Sequence, residues 1–97
     1  MAMTRRNKAH TATINRLAQR FGGQPSDEGE IVAGEFTIMA TTTATVADAV
    51  ELLASRPGRV YIAMTNREGL REGIRAVEGT KVGVMQPDGE IVRESRE

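Results

Sequence analysis

The stretch Glu35-Phe-Thr-Ile-Met-Ala-Thr-Thr-Thr-Ala-Thr45 decides how this chain folds. Phe36, Ile38 and Ala40 alternate with Thr37, Met39 and Thr41, which predicts a strand over 35–42 with those two sets on opposite faces. Thr45-Val-Ala-Asp48 then fits a capping box with Asp in the place of Glu, so a helix is expected from Val46. In α/β proteins, a strand end that feeds a helix is a frequent place for binding and chemistry. Here the side chains are methyls, a thioether and hydroxyls. No acid or base stands at the centre, which argues against ordinary acid–base catalysis.

Working upstream, Glu30-Ile-Val-Ala33 reads as a short strand, and Gly34 as the break that makes a tight hairpin or a bulge. Residues 24–29 are polar, contain Pro25, and predict a loop. Before them Ala9, Thr13, Leu17 and Phe21 recur every four residues, predicting a helix from about 9 to 21 stopped by Gly22-Gly23. Downstream, the helix from Val46 to about Ser55 should bury Val46, Ala49, Val50 and Leu53. Pro57-Gly58 turns the chain into Val60-Tyr-Ile-Ala-Met-Thr65, apolar on both faces as an interior strand should be. Asn66 is a good N-cap for a further helix with a Leu70, Ile74 and Val77 stripe. Gly69 and Gly73 on that helix allow a neighbour to come close. Thr80 to Gln86 and Glu90 to Arg93 form a closing hairpin about Pro87-Asp-Gly89.

The resulting order is α-β-β-α-β-α-β-β: an α/β domain in two or three layers, with a mixed sheet of about five strands. The strand–helix–strand crossover over 35–65 is expected to be parallel and right-handed. Residues 1–97 read as one domain, with residues 1–8 and 94–97 as charged, disordered tails.

Composition narrows the function classes. The chain has 97 residues and only three aromatics, so aliphatic side chains and Met must fill the core. A core this small gives homodimerisation a rationale, since association buries further apolar surface. With no cysteine there is neither a disulfide nor a thiolate metal site, in keeping with a cytoplasmic protein. No apolar run approaches the length of a membrane span. Net charge is zero but segregated: residues 1–22 carry five Lys and Arg and no acid, whereas residues 23–54 carry six acids and no Lys or Arg. The basic N-terminus is read either as a solvated terminus or as an arm for phosphate backbones.

The leading helix, hairpin, helix and buried strand, in that order, resemble the core of the PD-(D/E)XK, restriction-endonuclease-like nuclease superfamily, and in local text its small prokaryotic and archaeal members. Glu30-Ile-Val-Ala stands where an Asp-Ile-Val-Ala would, and Thr37-Ile-Met-Ala-Thr-Thr where an apolar strand ending in Glu-X-Lys-Thr would. The resemblance covers roughly residues 9–65, and the hairpin 83–92 looks like the closing hairpin of some members. It implies a site in which an Asp and a Glu hold a divalent metal and a Lys handles the attacking water. Carried over residue by residue, the Asp becomes Glu30, the Glu becomes Met39 and the Lys becomes Thr41. Met is a poor ligand for a hard cation such as Mg²⁺, so the resemblance implies a nuclease fold whose catalytic set is degraded.

Three functional readings follow. The first is a non-catalytic nucleic-acid-binding domain or structural partner subunit. It would use Arg5, Arg6 and Lys8, the hydroxyls of Thr41 and Thr43 beside a helix start, and Arg67, Arg71 and Arg75 at i, i+4, i+8. No cofactor is expected in that case. The second is an active Mg²⁺-dependent nuclease with relocated carboxylates, Glu30 with Glu28 or Glu35. The third is a protein-interaction module without a nucleic-acid role. Each candidate also has an ordinary explanation: strand propensity and capping for the threonines, pairing of Glu68 and Glu72 with Arg71 and Arg75, and a solvated acidic hairpin for the carboxylates. The lone His10 has no partner at a catalytic spacing.

Overall fold

The computed structural model describes residues 8–25 and 30–96. In chain order its elements are α1 (Lys8–Phe21), β1 (Gln24–Pro25), β2 (Glu30–Ala33), β3 (Phe36–Thr41), α2 (Val46–Ala54), β4 (Arg59–Met64), a 3₁₀ turn (Arg67–Gly69), α3 (Leu70–Val77), β5 (Gly83–Met85) and β6 (Ile91–Arg93). The strands form one mixed sheet in the order β1-β2-β3-β4-β5-β6. Strands β3, β4 and β5 run parallel, and the remaining pairs are antiparallel. The three helices and five longer strands follow the order read from the sequence.

The alternation in β3 sorts the molecule into three layers. Ile38 and Ala40 join Ile31, Tyr61, Ala63 and Met85 beneath Ile14 and Leu17 of α1. Met39 faces the other way, with Val60, Ile62, Met64 and Val84, under Val46, Ala49, Val50 and Leu53 of α2 and Val77 of α3. Strand β4 is covered on both sides and has no exposed residue after Arg59. Each fully buried Leu or Ile contributes about 1.5–3 kcal/mol relative to exposure, so the aliphatic core compensates for the shortage of rings. All three aromatics lie in one edge-to-face row on the α1 side, Phe21 to Phe36 at 6.2 Å and Phe36 to Tyr61 at 5.6 Å between centroids.

The hairpin of β2 and β3 is tight. Ala33 pairs with Phe36, and Gly34 at φ 63 opens the two-residue loop, where a residue with a Cβ would be strained. Four local expectations change. Gln24–Pro25, expected as loop, pairs with Val32 and Ile31 as a short edge strand, where a proline that cannot donate is tolerated. Residues 80–82, expected as strand, instead form the turn that follows α3: the Thr80 amide and hydroxyl both donate to Val77 O, and the Val82 amide donates to Thr80 Oγ1. Asn66 does cap as expected, accepting from Gly69 N at 2.8 Å, but it caps a 3₁₀ turn that precedes the α-helix.

The fourth change concerns the C-terminus. Residues 94–96, expected as a tail, are tied across the sheet. Tyr61 OH donates to Glu94 Oε1 (2.9 Å), Val60 N donates to Ser95 Oγ (3.1 Å), and Arg96 N donates to Lys81 O (2.8 Å). Gly83 lets the segment pass, because a Cβ there would lie 2.5 Å from Arg93 O and 2.6 Å from Ser95 N. Residues 1–7 lie outside the described residues.

Candidate functional site

The parallel strands β3 and β4 end in the loops that start α2 and the 3₁₀ turn, and the predicted threonines sit at this edge. Thr41 is buried, and a buried hydroxyl must find a partner. It finds Thr45 Oγ1 at 2.7 Å. Thr45 Oγ1 also accepts from Thr42 N at 3.3 Å. The Thr45 hydroxyl therefore faces back to the strand, and the expected capping box does not form: Thr45 has φ −116 and ψ 4 and makes no side-chain cap bond. Asp48 is left exposed in the first turn of α2. Thr43 is exposed too, with its methyl against Gly69, where a Cβ would come within 3.1 Å of Thr43 Cγ2. The two loops thus touch, and Thr43 adjoins the start of the arginine-bearing helix.

The proposed metal positions share a face, but their chemistry does not suit a hard cation. Glu30 pairs across the strands with Met39, and Thr41 follows two residues along on the same side. Glu30 is 6% exposed. Its Oε2 lies 2.6 Å from Arg56 Nη2, so a guanidinium delivered from the turn after α2 already answers the carboxylate's charge. Glu35 sits in the hairpin loop, beyond the far end of β2, roughly 10 Å or more from Glu30 at about 3.4 Å of rise per residue. It borders a separate cleft with Ala33, Phe36 and Arg59. Glu28 lies outside the described residues. Among the described residues no three His, Asp or Glu side chains gather as a metal site would require, and one carboxylate facing an arginine and a thioether does not fit Mg²⁺.

Arg67, Arg71 and Arg75 are all exposed. Of the expected pairings with Glu68 and Glu72, the structure contains a contact of Arg75 Nη1 with Glu72 Oε1, at 3.9 Å with both side chains more than half exposed. At that exposure it contributes little. Arg67 and Arg71 make no ion pair with any described residue. Gly73 and Gly69 let this helix settle on β4: a Cβ would stand 3.0 Å from Met64 Sδ at Gly73 and 2.8 Å from Met64 Cε at Gly69. Arg5 and Arg6 lie outside the described residues, and Lys8 is the first residue of α1.

A cavity of about 390 Å³ opens beside α2, lined by Met39, Ala40, Thr41, Thr45, Asp48, Ala49 and Leu52. Among the described residues α2 has a neighbouring helix, α3, on one flank, and the groove lies along α2 and β3. Val32 on the same side of the sheet is 50% exposed, and Leu52 is 41% exposed. Sequence reasoning missed this groove and missed Arg56 as the partner of Glu30. A lone Arg in a Ser-Arg-Pro-Gly turn carries no periodic signal. The only sign of the groove was an extra apolar residue, Leu52, beside the buried stripe of α2. Lys81, from the residues that follow α3, donates to the carbonyls of Arg56 and Gly58, fixing the turn from which Arg56 reaches Glu30.

No described helix is long and apolar enough to cross a membrane. Comparison with protein-family models, curated proteins and solved structures finds no match to this chain.

Proposed function

We propose that this chain is a non-catalytic nucleic-acid-binding domain that holds phosphates along Arg67, Arg71 and Arg75, with Thr43 at the near end of the stripe. The observation that carries the reading is that Arg67 and Arg71 stand exposed without an ion pair among the described residues. Arg71 and Arg75 lie one turn apart on α3, with Arg67 in the 3₁₀ turn before it, and guanidinium groups so spaced suit successive backbone phosphates, which they bind through paired N–H donors. Arg5, Arg6 and Lys8 add positive charge in the sequence. Thr41 does not contribute, because its hydroxyl is buried and engaged. The aromatics are packed into one internal row, so base stacking is not the mode of contact and little sequence preference is expected. The degraded catalytic set implied by the resemblance to PD-(D/E)XK nucleases agrees with binding without cleavage.

Fluorescence anisotropy with single-stranded and duplex DNA and with RNA, at two salt concentrations, tests the proposal. Binding should weaken as salt rises. The R67E/R71E/R75E variant should flatten the log–log salt slope by about 2 to 3, one phosphate contributing about 0.9. Absence of binding to every probe at low salt would sink the reading. Cleavage in the same samples with Mg²⁺ or Mn²⁺, removed by Glu30→Ala, would replace it with the nuclease alternative.

A further inference from the structure

We infer that the groove between α2 and the β2 side of the sheet is a docking surface for a cationic amphipathic peptide segment of a partner protein. Its floor is apolar, from Met39, Ala49 and Leu52, and its rim carries the carboxylate of Asp48 and the Thr45 hydroxyl. Large hydrophobic side chains are exposed at only three described positions, and two of these, Val32 and Leu52, lie on this side. Surface apolar residues scattered singly need no explanation, but Leu52 lines the open cavity itself, and Val32 lies on the same face of the sheet.

Charge selects the occupant. Helix α2 carries two exposed carboxylates, Asp48 and Glu51, and no Lys or Arg. Asp48 makes no ion pair with a described residue. Arg56, which follows α2, is engaged by Glu30 and so does not answer Asp48. A segment placing an aliphatic side chain in the cavity and a Lys or Arg beside Asp48 matches both features. A second copy of this chain matches them less well. A copy meeting groove to groove would oppose Asp48 to Asp48, and the described exposed positions of α1 are polar or small (Ala12, Asn15, Arg16, Gln19, Arg20), with no large apolar side chain to fill the cavity. The groove shares no lining residue with the arginine stripe.

The test uses the full chain, isotope-labelled for NMR, with a helical Leu/Lys repeat peptide as probe and a Leu/Glu repeat peptide as control. The Leu/Lys peptide should shift resonances of Val32, Met39, Asp48, Ala49 and Leu52 and leave those of residues 67–75 in place. Asp48→Lys and Leu52→Lys are both at exposed positions that should leave the fold intact by circular dichroism; Leu52→Lys should weaken binding about tenfold, as for an apolar anchor, and Asp48→Lys should weaken it by repelling the peptide's lysines. The inference fails if the Leu/Lys peptide does not bind, if the Leu/Glu peptide binds equally well, or if the shifts map elsewhere. It also fails if both variants fold and bind as the parent does. Concentration-dependent dimerisation abolished by Leu52→Lys would assign the groove to a second copy and overturn it as well.

Discussion

Glu30 and Arg56 show how one residue's environment decides its role. A carboxylate 6% exposed is costly to bury without a partner, and the Arg56 guanidinium at 2.6 Å supplies one. Truncating Arg56 to Ala should destabilise the fold by about 2 kcal/mol in urea titration. That is less than the roughly 3–5 kcal/mol for one partner of a fully buried pair, because Arg56 keeps about a third of its side chain in water. The double change Glu30→Gln with Arg56→Gln should recover part of the loss, since no charge is then stranded.

Tyr61 provides a second residue-scale expectation. Burial, reinforced by its hydrogen bond to Glu94, holds the phenol above its ordinary pKa of about 10. The neutral phenol therefore contributes its full stability below pH 10, and that contribution falls away as pH rises through the folded-state value. It is the only tyrosine, so tyrosinate absorbance follows it directly. Ionisation should begin later than in a free tyrosine, and stability should decline in that alkaline range. A titration curve matching the free amino acid would contradict the burial argument.

At the scale of elements, small residues decide which pieces touch. Gly83 stands where the backbone after β6 crosses β5, and a Cβ there would meet Arg93 O, Ser95 N and Tyr61 Cδ1 between 2.5 and 2.7 Å. Backbone cannot yield as a side-chain tip can, so Gly83→Ala should cost about 3 kcal/mol, visible as a lowered urea midpoint. Gly73→Ala meets only side-chain atoms, the flexible Met64 at 3.0 Å and Ile62 Cδ1 at 3.4 Å, and Ala favours the helix by about 1 kcal/mol over Gly, so its effect should be much smaller. Equal losses at the two glycines would show that the crossing is not rigid. The same distinction explains what was readable beforehand. The buried stripe of α2 followed from the 3.6-residue repeat, because packing on a sheet needs one apolar face. The capping box failed because the strength of a hydroxyl's local motif could not be weighed against the demand of buried Thr41, a competitor four residues away.

For the whole molecule, the C-terminal segment acts as a strap. Removing residues 94–97 strands the Val60 amide and the Tyr61 hydroxyl and takes the donors from Lys81 O. With about 1 kcal/mol for each of the four bonds lost and more for a buried donor left unpaired, truncation after Arg93 should cost about 4–5 kcal/mol. That is a large part of the roughly 5–15 kcal/mol that holds a typical domain together. Thermal unfolding of the truncated chain at an unchanged temperature would refute the strap.

Element order, the two faces of β3, the burial of β4 and the contact surfaces of α1 and α2 were fixed by the sequence alone. Each is a periodic pattern repeated over six or more residues, and such patterns admit one way of hiding apolar surface from water. The tertiary structure alone decided that Arg56 answers Glu30, that Thr45 turns to Thr41 rather than to its own helix, that Ser95 reaches Val60, and that α2 leaves a groove open on one flank. Those contacts join residues 4 to 35 positions apart, or depend on which described elements stand beside α2. Their energies come from single meetings of groups, which leave no repeat in the sequence to be read.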